Sequence, residues 1–459
     1  MSDSHVLVLA AGRSTRMKSS RSKLLHLLRE KPLLRHTLEN ARQAGIVTCV
    51  VGRDAGGIAD LASECGARIV VQDPPRGTGH AVMAAEESLR GVRGDLLILN
   101  GDVPLATIDL LRAFMSFHQH EKATLSVLGT RPPDAAAYGR MVRRGTRLMA
   151  ITEYLEAGDK ARAIQDVNAG IYCARVPDIF PFLKKVGNRN EKGEYYLTDL
   201  VGVLNRARRK VCCMIHPAWR ELLGVNDRAD LEEAEGILNR RKICDLQREG
   251  VTVMSGATTF VGDRVQIGPD SVIHPFCSIE GRTTIGSECL ILPYSRIVDS
   301  SLADRVIVNG SSQIVESIIE DGASVGPFCH LRGSTRVQSG SKVGNFVEMK
   351  KTSFGPASKA MHLTYLGDAT VEEGVNVGAG TITCNYDGVS KHPTHIGKGV
   401  FIGSGTELVA PVEVSDGAYV AAGSTITENV PPGSLAIARA RQTVKAGWAE
   451  KRKRREPKR

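Results

Sequence analysis

Residues 261–297 read VGDRVQIGPDSVIHPFCSIEGRTTIGSECLILPYSRI. An aliphatic side chain returns at every sixth position of this stretch, as Val261, Ile267, Ile273, Ile279, Ile285, Ile291 and Ile297. A period of six fits neither an α-helix nor a lone strand, but it fits a three-sided coil that turns one aliphatic side chain inward from each flat face. The stretch therefore predicts a parallel β-helix.

The same period returns twice further along the chain, at Val325, Leu331, Val337, Val343 and Met349, and again at Ile396, Ile402, Leu408, Val414, Val420 and Ile426. Stacked coils would bury these side chains at about 1.5–3 kcal/mol each, and no coil would be stable alone. An all-β sandwich with a chance period is the alternative, which the number of positions in register disfavours. The period breaks near 300–320, between 349 and 371 and between 383 and 396, and the last two breaks predict loops that leave the coil.

Length and composition limit the number of domains, the cellular location and the cysteine chemistry that can be expected. A chain of 459 residues exceeds one ordinary core, so two domains are expected. No run approaches the ~20 apolar residues of a membrane span, and the first residues carry no basic leader, so we expect a cytoplasmic protein without membrane insertion. The ten cysteines form no CxxC pair, which predicts reduced, mainly buried thiols rather than a zinc site.

The net charge of +10 is concentrated at one end of the chain. Residues 449–459 carry seven Lys or Arg against two Glu. Such a tail is usually solvated, so no nucleic-acid partner is predicted. The remaining surplus suits a protein that binds several phosphate groups.

The first half of the chain alternates strands and helices. Predicted strands at 6–10, 48–52, 68–72, 96–100 and 123–128, with helices at 78–89 and 109–120, indicate a Rossmann-like, mostly parallel α/β sheet. The first strand runs into Ala11-Gly12-Arg13-Ser14-Thr15-Arg16, with Lys23 beyond it. This small, basic turn predicts a phosphate cradle, with an ordinary strand-to-helix turn as the alternative.

Asp102 follows the apolar strand 96–100 directly. Ligands bind such sheets at the carboxyl ends of the strands, so this carboxylate is placed to share a divalent cation with phosphates. A helix N-cap is the alternative role, which Thr107 or Asp109 can fill instead.

Residues 227–250 have the pattern of an amphipathic connecting helix. The predicted organisation is therefore an α/β domain at 1–226, a helical linker at 227–250, a β-helix domain at 251–448 and a basic tail at 449–459.

Several segments together resemble a known family. They are Leu9-Ala10-Ala11-Gly12, Gln72 with Gly77-Thr78-Gly79-His80-Ala81, Gly101-Asp102-Val103-Pro104-Leu105, Tyr138-Gly139-Arg140, Glu153, Asn168-Ala169-Gly170, the segment 193–199, Gly224-Val225-Asn226 and the segment 358–368 around His362. The first half is similar to the sugar-1-phosphate nucleotidyltransferases. With the β-helix, nearly the whole chain resembles the bacterial enzymes that combine N-acetylglucosamine-1-phosphate uridyltransferase and glucosamine-1-phosphate acetyltransferase activity.

The resemblance implies roles for residues of the first half. Uracil would lie on Gln72, Gly77 and Thr78, and the triphosphate on the loop from Ala11 through Gly12 to Arg16 and on Lys23. Leu9 and Ala10 would also belong to the nucleotide site. Gly139, Glu153 and Asn168 would hold the N-acetyl sugar, and Asp102 and Asn226 would ligate Mg²⁺. The sugar phosphate would attack the α-phosphorus of UTP in line, and positioning with charge neutralisation does most of such work.

The resemblance also implies roles in the β-helix. A histidine near neutral pKa is the expected base for deprotonating a sugar ammonium group, and His362 is the histidine that the family motif selects. Arg332, Lys350 and Lys391 would bind the sugar phosphate, with the sugar on Tyr365, Asn376 and Asn385. Acetyl-CoA would contact Ala379, Tyr386, Ser404, Ala422 and Arg439. The family's β-helix is left-handed, and its chains form homotrimers with acetyl-CoA sites between neighbours.

The predicted function is two-step synthesis of UDP-N-acetylglucosamine from glucosamine-1-phosphate, acetyl-CoA and UTP. Two alternatives stay open: a nucleotidyltransferase for another sugar or nucleotide whose β-helix serves regulation or assembly, and a non-catalytic trimeric scaffold. Ser14, Ser22 and Met361 depart from the family pattern at positions where Gly, Pro and Gly are usual.

Overall fold

The computed structural model describes residues 4–12, 15–135, 138–190 and 192–453. The chain divides into two compact units, residues 1–238 and 239–459, and each is described by itself. The division falls inside one long helix, Arg228–Arg248. Ala234 of this helix belongs to the core of the first unit, whereas Ile243 and Leu246 belong to the core of the second.

The first unit is built on a nine-stranded sheet with helices packed against it. Its strands are β1 (His5–Ala10), β2 (Leu27–Leu28), β3 (Lys31–Pro32), β4 (Ile46–Gly52), β5 (Arg68–Gln72), β6 (Asp95–Asn100), β7 (Leu125–Thr130), β8 (Arg140–Arg144), β9 (Arg147–Thr152), β10 (Val167–Arg175) and β11 (Val211–His216), of which β2 and β3 form a separate small hairpin. Its helices are α1 (Leu33–Ala44), α2 (Gly57–Glu64), α3 (Thr78–Ala84), α4 (Ile108–Glu121), α5 (Asp159–Arg162), α6 (Val176–Leu183), α7 (Asp199–Arg206) and α8 (Arg228–Arg248).

The sheet order is β5-β4-β1-β6-β10-β7-β11-β9-β8. The neighbours β5, β4, β1 and β6 pair in parallel, while β10 runs antiparallel to both β6 and β7. The continuous apolar runs of β1 and β6 are typical of strands that are covered on both faces. The mostly parallel sheet confirms the predicted α/β fold, and it brings the ends of β1, β5 and β6 to one edge.

The second unit consists of short strands that pair in parallel with the strand one coil further on. Phe260 pairs with Ser278, and Ser278 with Arg296, which is the repeat of three six-residue faces. The strands are Thr252–Val253, Phe260–Val261, Gln266–Ile267, Val272–Ile273, Ser278–Glu280, Thr284–Ile285, Leu290–Ile291, Arg296–Val298, Ser301–Leu302, Ile307–Val308, Gln313–Val315, Ile318–Ile319, Ser324–Val325, His330–Arg332, Arg336–Val337, Lys342–Lys350, Ser353–Phe354, Lys359–Gly367, Ala369–Val371, Asn376–Val377, Ile382–Cys384, Thr394–Ile396, Phe401–Ile402, Glu407–Val409, Val412–Val414, Tyr419–Val420, Thr425–Ile426 and Leu435–Ala436. A short helix, α9 (Trp448–Lys453), follows them. The pairing is consistent with a parallel β-helix.

The buried core of this unit follows the sixfold aliphatic period. The breaks near 300–320 and at 349–371 are steps of five residues, where Leu302, Ile319, Phe354 and Val371 continue the buried column. The predicted loop between Met349 and Val371 is therefore wrong, since this segment holds the strands Ser353–Phe354, Lys359–Gly367 and Ala369–Val371. Each five-residue step shortens one corner of the coil by one residue, and the inward side chain still stacks on those of the neighbouring coils. A loop does leave the coil at 385–393, where Tyr386 and Lys391 form an isolated bridge.

Buried small side chains fill the remaining inward positions, and Cys277, Cys289 and Cys329 are among them. Burial raises the pKa of the Cys329 thiol to about 11. All ten cysteines of the chain are free, and eight of them are buried. They pack as small apolar groups, as the sequence predicts.

Candidate functional site

Two adjoining cavities open at the carboxyl ends of β1, β5 and β6 in the first unit. One has a volume of about 600 Å³ and the other about 540 Å³, and both are lined by Asn100 and Asp102. The 600 Å³ cavity, called the first, is lined by the predicted sugar and metal residues Asp102, Gly139, Asn168 and Asn226, together with Arg16. The 540 Å³ cavity, called the second, is lined by the predicted nucleotide residues Leu9, Ala10, Ala11, Gly12, Lys23, Gln72, Gly77 and Thr78.

The predicted phosphate turn starts where β1 ends. Ala11 and Gly12 line the second cavity, and Arg16 follows in a 3₁₀ turn, Thr15–Met17. Ser14, where the family pattern has Gly, lies outside the described residues together with Arg13. The described part of the turn therefore places small residues beside the second cavity and the cation Arg16 beside the adjoining first cavity.

Lys23 joins the predicted metal ligands. Its Nζ lies 2.5 Å from Oδ2 of Asp102 and 3.0 Å from Oδ1 of Asn226. Arg16 also donates to Oδ1 of Asn226 at 2.8 Å. The side chains of Lys23 and Asp102 are only 15 % and 22 % exposed, so this contact is partly shielded from water.

Backbone contacts fix both metal-ligand candidates. The amide of Val225 donates to the carbonyl of Asp102 at 2.9 Å, and Nδ2 of Asn226 donates to Gly224 at 3.0 Å. Thr107, rather than Asp102, caps α4 by accepting from Leu110. Because two side-chain oxygens converge on one cationic atom, the donor set fits a hard divalent cation whose other ligands are phosphate oxygens or water. Among the described residues no cluster of three His, Cys, Asp or Glu forms a self-sufficient metal site.

The segment predicted for uracil is held by the backbone of the 193–199 segment. Gly77 has φ of +100°, and a Cβ there would lie 2.7 Å from the carbonyl oxygen of Tyr195, so no other residue fits. Thr78 accepts from the amide of Leu197 at 3.1 Å. Gln72 at the end of β5 is 2 % exposed and donates from Nε2 to the carbonyl of Gly77 at 3.1 Å.

Two of the three residues predicted for the sugar, Gly139 and Asn168, are hydrogen-bonded to each other. The amide of Asn168 donates to the carbonyl of Gly139 at 2.9 Å, and Nδ2 of Asn168 donates to the hydroxyl of Tyr172 at 2.7 Å. Glu153 accepts from the hydroxyl of Thr198 at 3.1 Å. Burial raises the pKa of the Glu153 carboxyl above its usual value, despite that hydrogen bond.

In the second unit, His362 is exposed on the strand Lys359–Gly367. Its Nδ1 lies 2.7 Å from Oδ1 of Asn345, which the register places opposite it on the preceding coil. With an oxygen as partner, Nδ1 carries the proton and Nε2 presents a lone pair to solvent. This is the arrangement that a general base needs.

Three cations predicted for a phosphate converge near this strand. Arg332 and Lys350 are paired in register, and Lys350 is paired with Gly367. A hydrogen bond from Lys391, together with its charge, lowers the pKa of Lys350, and desolvation and the charges of Arg332 and Lys351 add to the effect. Among the residues that the structure describes, Arg332 is the one of these three cations with a carboxylate ion-pair partner, since it donates to Glu348. The pKa shift of Lys350 reports excess positive charge, which a phosphate would neutralise.

The predicted sugar residues of this unit divide into two groups. A Cβ on Gly367 would lie 2.4 Å from the hydroxyl of Tyr365 and 2.7 Å from Nδ2 of Asn385, so these two side chains meet over that glycine. Asn385 also donates to Asp368 at 2.6 Å. Asn376 lies apart from these two residues. Its strand neighbours are Lys359 and Phe401, and within the described chain it has no hydrogen bond to another predicted site residue.

Most residues predicted for acetyl-CoA form a ladder along one corner of the coils. Ala379 accepts from the amide of Gly405 at 2.7 Å, Ser404 from that of Gly423 at 2.8 Å, and Ala422 from Nη1 of Arg439 at 2.6 Å. Tyr386 lies in the 385–393 loop, is 60 % exposed and donates to Gly388 at 2.7 Å. The ladder joins the coil of His362, since Gly380 donates to the carbonyl of Leu363 at 2.9 Å.

Comparison with known proteins covers both units. The model of the MobA-like NTP transferase domain matches residues 6–170, and that of the GMPPB C-terminal domain matches residues 261–386. A protein of Koribacter versatilis named bifunctional protein GlmU is 40 % identical over 455 residues, which cover 98 % of this chain and 97 % of the relative. The chain belongs to the bifunctional GlmU family. The GlmU of Fervidobacterium nodosum is 45 % identical over 448 residues, covering 98 % and 97 % of the two chains.

Among solved structures, apo UDP-glucose pyrophosphorylase is similar with a TM-score of 0.42 and 17 % identity, covering 52 % of this chain and 99 % of that one. The full-length match to GlmU relatives confirms the predicted family and its two activities in one chain, a uridylyltransferase and an acetyltransferase of UDP-N-acetylglucosamine synthesis. In the parts of the chain that the structure describes, no helix combines the length and apolar character needed to cross a bilayer.

Sequence reasoning missed the partners of the GlmU site residues. Asn345, Glu348 and Asp368 hold His362, Arg332 and Asn385, and each lies about one coil away from its partner in sequence. A polar side chain one coil before or after a site residue is the signal that would have found them. The sixfold pattern alone did not reveal it, because the coils here vary in length.

Proposed function

We propose that the second unit acetylates glucosamine-1-phosphate and that the first unit then transfers UMP from UTP to the product. The observation that carries this proposal is the position of an exposed His362, held through Nδ1 by Asn345, beside the cations Arg332 and Lys350 of the same sheet and Lys391 of the 385–393 loop. A base beside a phosphate-binding cluster suits a substrate that carries both an amine and a phosphate.

In the acetylation step, Nε2 of His362 accepts a proton from the substrate ammonium group. The freed amine forms a bond to the thioester carbonyl carbon, the carbon–sulfur bond breaks, and the thiol of coenzyme A leaves after protonation. Arg332, Lys350 and Lys391 bind the sugar phosphate, and Tyr365, Asn376 and Asn385 bind the sugar. Acetyl-CoA lies along the ladder of Ala379, Ser404, Ala422 and Arg439, with Tyr386 beside it.

In the uridylyl step, a phosphate oxygen of N-acetylglucosamine-1-phosphate forms a bond to the α-phosphorus of UTP, and pyrophosphate leaves. Gln72, Gly77 and Thr78 hold the base, while Gly139, Glu153 and Asn168 hold the sugar. Ala11, Gly12, Arg16 and Lys23 bind the triphosphate, and Leu9 and Ala10 also contact the nucleotide. Positioning and positive charge suffice for this chemistry, which needs no nucleophilic side chain.

Asp102 and Asn226 would hold Mg²⁺, whose charge neutralises phosphate oxygens when it is bound. Their oxygens already converge on the ammonium group of Lys23, at 2.5 and 3.0 Å. Lys23 contacts the triphosphate in the proposed complex.

The β-helix is proposed to be left-handed and the protein to be a cytoplasmic homotrimer. The three-faced coil and the similarity to the family support the first of these. The acetyl-CoA ladder lies on an exposed edge that a neighbouring chain can complete. Light scattering of the purified protein measures the oligomeric state directly.

The deciding experiment supplies glucosamine-1-phosphate, acetyl-CoA, UTP and Mg²⁺ and follows thiol and pyrophosphate separately. The proposal requires both products, with pyrophosphate released only after acetylation. Pyrophosphate from another sugar phosphate without thiol release would leave the β-helix as an assembly or regulatory domain, which is the alternative to the acetyltransferase assignment.

A further inference from the structure

The amide of Gln72 has one orientation in this fold. Its Nε2 lies 3.1 Å from the carbonyl oxygen of Gly77 and 2.9 Å from Nδ1 of His80. A backbone carbonyl only accepts hydrogen bonds, so the atom beside Gly77 must be the NH₂ group of Gln72. The glutamine is 2 % exposed, and burial leaves little freedom to exchange its two ends.

The protonation of His80 follows from that orientation. Because the NH₂ group only donates, Nδ1 of His80 must accept, and the imidazole is neutral with its proton on Nε2. Burial, and next the charge of Arg76, lowers the pKa of His80, which agrees with a neutral ring. His80 lies on α3 behind the cavity, and its ring is 6.2 Å from that of Tyr195.

Both hydrogens of the Gln72 amide are thus used within the protein. Among the described residues none donates a hydrogen bond to its carbonyl oxygen, and Gln72 lines the cavity proposed for the nucleotide. Oε1 is therefore the atom of this side chain that can meet a ligand, and it can only accept.

We propose that His80 is a positioning residue for base selection, which holds the Gln72 amide so that Oε1 faces the edge of the nucleobase. Uracil presents an N–H donor at N3, whereas cytosine presents a lone pair there, so an acceptor at this point favours uracil. The role deepens the proposed uridylyl transfer and rests on it. Gly77 and His80 share the task, because each fixes one hydrogen of the amide.

The test compares His80→Asn with His80→Leu, which are close in size. Asn can place Oδ1 where Nδ1 of His80 lies, whereas Leu offers no acceptor. The full-length protein is assayed with N-acetylglucosamine-1-phosphate and Mg²⁺, and kcat/KM is measured for UTP and for CTP. We expect His80→Leu to lower the UTP-to-CTP ratio about tenfold, the size that one lost hydrogen bond gives, and His80→Asn to keep the ratio of the unaltered protein.

Two results would overturn this role. Equal loss of activity toward both nucleotides in His80→Leu, with the ratio unchanged, would make His80 a packing residue. A ratio as low in His80→Asn as in His80→Leu would assign the effect to ring packing on Tyr195. Gln72→Ala distinguishes failure of this inference from failure of the proposed uridylyl transfer. If this variant still uses UTP and keeps the UTP-to-CTP ratio of the unaltered protein, the base does not contact Gln72. The inference about His80 then fails, although uridylyl transfer stands.

Discussion

The carboxamide oxygen of Asn345 lies 2.7 Å from Nδ1 of His362, across two adjacent strands of the β-helix. The contact fixes the tautomer and the ring plane of the one histidine that the sequence singles out. Neighbouring coils are rigidly paired, so Asn345 can orient the imidazole without touching the substrate.

We expect His362→Ala to reduce acetyl transfer by about 10²- to 10⁴-fold, the usual contribution of a general base. Uridylyl transfer should be unchanged when N-acetylglucosamine-1-phosphate is supplied, because its groups lie in the first unit. Thiol release and pyrophosphate release, measured on one preparation, check both statements. Loss of both activities in a folded protein would contradict independent sites.

Asn345→Leu should lower kcat for acetyl transfer by about tenfold or more while leaving KM for acetyl-CoA unchanged, since the base is still present but no longer oriented. Asn345→Asp retains an oxygen toward Nδ1 and should keep most of the rate. Steady-state kinetics of the pair decides the matter. Equal rates in the two variants would show that the hydrogen bond to His362 has no catalytic effect.

Lys350→Met should raise KM for glucosamine-1-phosphate by about tenfold, the cost of one lost charged contact to a phosphate. Without phosphate, the same change should raise the thermal midpoint, because the lowered pKa of Lys350 reports repulsion from Lys391 and Arg332. That repulsion falls as pH rises through the pKa of Lys350, so the gain should shrink at high pH. Lys398→Met, at an exposed position, serves as the matched control. If Lys398→Met raised KM for glucosamine-1-phosphate as much as Lys350→Met does, a specific phosphate site at Lys350 would be refuted.

Asp102→Asn should reduce uridylyl transfer by at least about 10²-fold and weaken its dependence on Mg²⁺. The variant keeps the size of the side chain and removes the charge that faces Lys23. Acetyl transfer reports that the rest of the protein is intact, and Asp109→Asn in the first turn of α4 is the control for a nearby carboxylate. Full activity with a normal Mg²⁺ titration would exclude Asp102 as a ligand.

Glu153→Gln should stabilise the first unit at pH 8, because burial raises the pKa of Glu153 and so disfavours its ionised form in the fold. The sign follows from linkage: the cost is present above the folded-state pKa and disappears as pH falls below the ordinary glutamate pKa of about 4.3. Thermal unfolding, followed through the transition that UTP with Mg²⁺ raises, measures the difference. Exposed Glu232→Gln, in the first-unit part of α8, is the control, and a gain that is constant with pH would contradict the explanation.

Much of the fold follows from local pattern. The Ile and Val residues at every sixth position of 261–297 predict one inward side chain on each face of the coil. The alternation of strands and helices before residue 226 predicts a parallel sheet. The five-residue steps at Phe354 and Val371 could not be recognised, because an inward side chain was expected at every sixth position. The expected loop around His362 was therefore wrong, since that histidine lies on a strand.

By itself the sequence determined the residue types available for chemistry: a basic turn after β1, a carboxylate after β6, and a histidine within a polar stretch of the β-helix. Only the tertiary structure decided which groups meet, because residues far apart in the chain are joined by sheet order and coil stacking. Lys23, Asp102 and Asn226 converge through the sheet and its loops, and Asn345 reaches His362 through the length of one coil. Local sequence fixes the hydrogen-bonding capacity of each side chain and the period of the apolar residues. The distances between charged groups, and the tautomer of His362, depend on long-range strand pairing.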